Sequence, residues 1–499
     1  MGEARALSDT AAAEPWPWLG TSGLRPLQIA VGLFVGVKLG LLVFAHPFMD
    51  EAYYFIWGQH PALSYYDHPG LVGWVQGLSA TLLGWNLVAL RLPVLLTELA
   101  DVWLLYLFAR RMGGASWPRW FWPALALFVS MPIFVVATMF GLPDHLLLLA
   151  TLAAAYLLQG FFLSLDAGSP RWRLLYAGAT AIGCAVLAKY YGGLVGVGLA
   201  LTVLAMPRYR GLLRSPHLYL AAALALALQA PSLIWNIQNN YAGVGFVVGG
   251  HGHLEHPFEL RGVLGYLLDM LLIVSPFLIV PMLRFGFARQ PSLAVSRGIF
   301  WTSTLAFLVA SVFVRTIIHW NLAAYAAVLP FLAGFIRSRL LALTHFTYAA
   351  VIVVLGTVNY AAVPLAAVFG FNDQASSWGY GWDGVAARVR QIEASQPIGF
   401  VAGTDYTLAA ALGWALEDKD VTSLATRTDA YDFWFDADAM TGKTALIVAD
   451  HWRPLSAEIR ARFAEVTAVG GVEVSGYGRP IDTYELYVGT GYTPATRQP

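Results

Sequence analysis

The sequence predicts an all-α polytopic membrane domain followed by a small α/β domain, and three observations carry that prediction. The chain of 499 residues is 58% hydrophobic and only 12% charged, with a mean hydropathy of +0.60, a composition foreign to soluble enzymes and to disordered chains. About eleven apolar runs approach the roughly 20 residues that a helix needs to cross hydrocarbon. From about residue 371 such runs stop, and 27 of the chain's 60 charged side chains fall in the last 129 residues. Net charge is zero and no run of Lys or Arg exists, so a nucleic-acid partner, whose phosphates demand a basic surface, is excluded.

Residues 1–25 are polar and acidic and lack the features of a signal peptide, so the first apolar run, 26–47, reads as a retained anchor after a cytoplasmic tail. A first outer loop over 48–87 follows. The remaining spans are expected near 88–109, 118–137, 143–163, 172–188, 192–206, 216–235, 262–282, 298–315, 320–336 and 342–368. The run at 192–206 is short and glycine-rich, which suits close pairing with a neighbouring helix. Cys184, the only cysteine, lies inside an apolar run, so no intrachain disulfide can form. One set of alternate loops holds thirteen arginines, whereas the other holds only Lys189, Arg261 and Arg315. Basic residues accumulate on the cytoplasmic side. The N-terminus is therefore expected inside and the 371–499 domain outside. Within that domain PIGFVAG, TALIVAD and YELYVG read as strands, and TLAAALGWALE and LSAEIRARFAEV as helices. The stretch DAYDFWFDAD reads as a loop resting on the membrane part.

The expected outer face collects the polar chemistry. HPFMDEAYYFIWGQHPALSYYDHPG (46–70) sets Asp50, Glu51, Asp67 and His68 among five Tyr and Trp residues without one Lys or Arg. AYYFIWGQH can form an amphipathic helix with its rings at headgroup level. A carboxylate there can act as general base on an acceptor, or Asp50 can simply cap the helix. Asp67 and His68 sit at a turn, where His can donate to a phosphate oxygen. Lys189, one of four lysines, either snorkels or meets an anionic headgroup, and Lys38 snorkels. HGHLEHP (251–257) reads as a polar lid or, alternatively, a zinc site; no metal is required, and a divalent ion remains open. A rival reading, a transporter or flippase of a lipid-linked sugar, would use Arg91, Glu98, Asp101 and Asp269 inside the spans, but no internal repeat accompanies them.

The order DEAYYFIWGQHPALSYYDHPG, RLP (91–93), LPDHLLLL (142–149), LAKYYG (187–192), PSLIWNIQNNYAGVGF (231–246) and HWNLAAYAAVLP (319–330) resembles bacterial membrane glycosyltransferases of the protein-mannosyltransferase-like superfamily, families 39 and 83, which includes the aminoarabinose transferases of lipid A. The resemblance covers residues 26–370. It implies a GT-C fold, a polyprenyl-phosphate-sugar donor, and a lipid A, glycan or protein acceptor. It also implies catalytic roles for Asp50, Glu51 and Asp144. Lys189, His68, Arg261 and Arg315 become candidates for the donor phosphate. Tyr53, Tyr54, Tyr66, Asp67, Tyr190, Asn236, His319, Trp320 and Asn321 become candidates for substrate contact. His68 stands where the aminoarabinose enzymes carry a lysine, a departure that weakens the match to that donor.

Overall fold

The computed structural model describes residues 15–495 apart from 17, 20–22, 251–259, 371–372 and 477. Each of the eleven apolar runs contains helix. Those used below are α1 (Leu24–Phe44), α2 (Met49–Gln59), α3 (Leu71–Leu83), α4 (Leu87–Gly113), α5 (Trp117–Ser130), α6 (Pro143–Asp166), α7 (Trp172–Ala188), α8 (Gly193–Ala205), α9 (Ala294–Ala310) and α10 (Leu322–Leu332). Among the described residues five helical segments are long and apolar enough to cross a membrane, or eight if three bent pairs each count as one span. Two of the bent pairs are Pro216–Ala227 with Ala230–Gln238, at 46°, and the helices of 261–286, at 91°; the rest of the difference from the eleven expected lies in Leu87–Ser130, which runs through two expected spans as one 44-residue segment, and in Trp172–Ala188 and Leu322–Leu332, only 17 and 11 residues long.

At the centre lies α10, every residue of which is buried; it packs on α5, α6 and α9. The glycine-rich run does pair closely. A Cβ on Gly198 of α8 would fall 2.7 Å from the Ile299 Cα of α9, so these backbones touch where only glycine fits.

After the helical part, α11 (Tyr406–Leu416) packs beside a sheet of β1 (Phe400–Gly403), β2 (Thr422–Ser423), β3 (Ala445–Asp450), β4 (Glu465–Gly476) and β5 (Arg479–Thr490). The order is β2-β1-β3-β5-β4, parallel through β2-β1-β3 and antiparallel at β5 and β4. All three expected strands are present. LSAEIRARFAEV, expected as a helix, forms only one turn at Ala457–Arg460 before the chain enters β4, where pairing along β5 overrides local helix propensity.

The short helix after the first span positions the site. Phe48 is extended and its N–H donates to Glu51 Oε2 at 3.2 Å, starting α2, whose first turn holds Asp50 and Glu51 near the positive end of the helix. The aromatic rings of this helix face protein. Tyr53, Phe55 and Trp57 are no more than 2% exposed, because α3 covers one side of α2 and α11 another. Gly58 lets α3 approach: a Cβ there would sit 2.4 Å from the Gly77 nitrogen. DAYDFWFDAD does rest on the membrane part, with Tyr431 stacked on Tyr53 and Phe433 on Tyr66.

Candidate active site

A cavity of about 470 Å³ opens between the start of α2, the start of α6, the end of α7 and the domain built on the sheet. Asp50, Tyr53, Tyr54, Asp67, His68, Asp144, Lys189, Tyr190, His319 and Trp320 all border it, although they come from four separate stretches of sequence.

Its two charged ends differ. At one, α6 begins at Pro143 with Asp144 in its first turn, and α7 ends at Lys189, whose backbone turns extended. Lys189 Nζ donates to both Asp144 oxygens at 3.0 Å, and both side chains are buried. The lysine therefore neither snorkels nor stands unpaired; it is a positioned cation whose charge Asp144 compensates. Burial, and then the neighbouring Lys189 charge, push His319 down to about 4, so its ring is neutral at physiological pH.

At the other end Tyr53 Oη donates to Asp67 Oδ2 at 2.6 Å and accepts from the Ala430 N–H at 3.0 Å. Asp50 stands half-buried, facing the cavity, with Tyr406 Oη 3.4 Å from its Oδ1. Burial comes first and the Asp67 charge second in pushing the Asp50 carboxyl up to about 6. Burial likewise pushes Asp67 up to about 6, against the Tyr53 hydrogen bond that favours its charged form.

Glu51 does not join them. It is fully buried and bound by Arg91 through Nε to Oε1 and through a terminal nitrogen to Oε2, both at 3.0 Å, while the Gly141 N–H adds a third donor at 3.0 Å. Arg91 Nη1 donates to the carbonyls of Leu41, Leu42 and Ala45 at 2.9 to 3.2 Å, and the Nη2 that holds Glu51 also donates to the His46 carbonyl at 3.1 Å. This geometry makes Glu51 part of a knot joining α1, α2 and α4. Lys38, expected to snorkel, is buried instead and donates to Glu98 and Thr138, with Asp101 nearby. Lys38 thus pairs with Glu98 and Arg91 with Glu51, while neither carboxylate oxygen of the buried Asp101 has a hydrogen-bond partner among the described residues.

Five further candidates also stand away from the cavity. Asn236 donates to the Ser232 carbonyl and accepts from the Val244 N–H, bracing a turn. Asn321 bonds Ser303 and Thr304 inside the bundle. Arg315 borders a smaller cavity with Tyr266 and Asp269, and Arg261 is exposed. Tyr66 lies behind the wall, between Phe433 and Phe246, in a neighbouring groove with Trp235 and Trp434. Among the described residues no group of three or more His, Cys, Asp or Glu could hold a metal ion, and HGHLEHP lies outside them.

Sequence reasoning missed Tyr406, Arg427 and Trp378 as cavity residues. Each comes from beyond the last apolar run, in a region without a recognisable motif. The only signal was the acidic, aromatic loop that follows Arg427.

A helical bundle with several broken apolar helices, a short helix after the first span and a C-terminal sheet matches two solved structures over nearly their whole length. ArnT from Cupriavidus metallidurans in the apo state superposes with a TM-score of 0.60 at 18% identity, covering 93% of this chain and 99% of that one. The same protein bound to undecaprenyl phosphate gives 0.59 at 17% identity, over 95% and 100%. The chain has an ArnT-like GT-C fold. Residues 67–235 of this GT-C chain also match the family model described as dolichyl-phosphate-mannose-protein mannosyltransferase. The lipid A galacturonosyltransferase RgtD of Rhizobium johnstonii is 26% identical over 286 residues, which span 56% of this chain and 58% of that protein. The match thus covers under two thirds of that relative.

Proposed function

We propose that this protein is a membrane glycosyltransferase that moves a sugar from a polyprenyl-phosphate donor to an envelope acceptor such as lipid A, another glycan or a protein. The observation that carries this reading is the cavity itself: a carboxylate poised near neutrality at one end and a positioned lysine at the other, in a fold shared with a protein solved with undecaprenyl phosphate. We take residues 26–370 as the catalytic membrane domain with about eleven spans, 1–25 as a cytoplasmic tail and 371–499 as a periplasmic domain. The thirteen-to-three distribution of basic loop residues supports that orientation.

The chemistry is a single displacement. An acceptor hydroxyl oxygen attacks the anomeric carbon, the bond from that carbon to the phosphate oxygen breaks, and polyprenyl phosphate leaves with the electron pair. Asp50 takes the hydroxyl proton, and the configuration inverts. Lys189 and His68, with His319 as a neutral donor, stabilise the phosphate as its charge grows. Asp144 holds Lys189 in place. Glu51 is assigned to the fold rather than to the reaction.

Mass spectrometry of lipid A and envelope glycans from cells with and without the gene tests the reading. A sugar mass present only with the gene supports it, and unchanged glycans and lipids would overturn it.

The pH profile follows from the cavity. Only the carboxylate form of Asp50 accepts a proton, so transfer is expected to rise with pH through about 6 and level off above it. Because Asp50 and Asp67 repel one another, this limb belongs to the pair. Asp67→Asn removes the like charge and should move the limb to lower pH; a limb unmoved by that change would separate the two groups.

A further inference from the structure

The cavity holds a cation that the displacement does not use. Arg427 follows β2, on the loop leading to the turn at Ala430–Phe433. That loop is fixed: Asp429 accepts from the Tyr431 N–H at 2.9 Å, Ala430 donates to Tyr53, and Arg462 donates to the Ala425 carbonyl at 3.3 Å. The Arg427 guanidinium lies over the Tyr406 ring, 4.4 Å from its centroid, at the mouth of the cavity. Among the described residues it has no carboxylate within ion-pair distance and makes no hydrogen bond, whereas Lys189 is doubly bonded to Asp144.

Two charged ends imply two anions. The carrier phosphate suits the Lys189, His68 and His319 end, where the growing negative charge needs donors. Arg427 stands at the other end, beside Asp50, where the saccharide and the acceptor meet. Its flat fork matches a carboxylate or a phosphate and remains charged at any working pH. An amino sugar there would meet like charge, and a neutral sugar would leave the fork unused.

We propose that Arg427, stacked on Tyr406, selects substrates bearing a second anion besides the carrier phosphate: a carboxylate on the transferred sugar or a phosphate on the acceptor. The inference rests on the glycosyltransferase reading and names the substrate class of that same site.

The test uses the purified full chain in lipid nanodiscs with four substrate combinations. The donors are polyprenyl-phosphate galacturonate and polyprenyl-phosphate galactose; the acceptors are lipid A with and without its phosphates. Arg427→Gln is compared with the wild type, and thermal unfolding checks the fold. Losing one charge-assisted hydrogen bond is worth about 10- to 100-fold in kcat/KM. That loss is expected only where the anion is present, so the variant no longer prefers the acidic substrate, while Arg427→Lys keeps part of the preference. A loss confined to galacturonate assigns the anion to the donor, and a loss confined to phosphorylated lipid A assigns it to the acceptor. Equal losses in all four combinations, or no loss in any, would overturn the inference while leaving the catalytic reading intact. A wild type inactive with every donor would overturn both.

Discussion

Asp50→Asn is expected to lower kcat by about 10²- to 10⁴-fold, the range over which a positioned general base contributes, with little change in KM. The substitution keeps the shape of the side chain but removes its capacity to take a proton. The fold should be indifferent to it, because the Asp50 carboxylate faces the cavity and its nearest hydrogen-bond partner, Tyr406, stands at 3.4 Å. Single-turnover transfer on the purified variant, with thermal unfolding alongside, separates the two effects. A variant that transfers at the wild-type rate would remove Asp50 from the reaction and turn attention to Asp67, the other cavity carboxylate pushed up to about 6.

Glu51→Gln, one residue along, should act in the opposite manner. It leaves the Arg91 guanidinium buried with its charge uncompensated, for which about 3–5 kcal/mol of lost stability is typical. The expected result is a protein that is poorly recovered in folded, monodisperse form, with whatever folded fraction remains retaining its turnover. Glu51→Gln combined with Arg91→Gln removes both charges and should recover part of the loss, since residues in direct contact do not behave additively. If Glu51→Gln folded normally and abolished transfer, Glu51 would belong to the chemistry after all. Neighbouring carboxylates on one helix turn therefore have separable fates, one read in rate and the other in yield.

The contrast shows what the chain reveals before folding. Apolar runs are local, so each of the eleven announced its helix, and the carboxylates of the first outer loop stood out against their aromatic neighbours. Asp144 and Lys189 were each conspicuous, but their pairing across 45 positions depends on where α6 begins and α7 ends. The Arg91–Glu51 and Lys38–Glu98 pairs, 40 and 60 positions apart, were equally hidden, so Lys38 read as a snorkelling side chain and Glu51 as a catalytic residue beside Asp50. Broken spans are harder to read because a proline within an apolar run does not announce its bend angle. Tyr406 and Arg427 were invisible for another reason. They reach the cavity only because α11 docks on α2, a contact between surfaces that hydropathy does not distinguish from any soluble domain.

The Arg91 knot has one more consequence. Its nitrogens hold the last carbonyls of α1 and, through Glu51, the first turn of α2, so no slack segment separates the first membrane helix from Asp50. The depth of that carboxylate is thereby tied to the tilt of α1. A helix meets a thicker or thinner bilayer by tilting or by deforming the lipid around it. On the proposed reading, the length of the surrounding acyl chains becomes a variable of the reaction, because it sets the height of the Asp50 carboxylate relative to the headgroup plane that carries the donor phosphate into the same cavity.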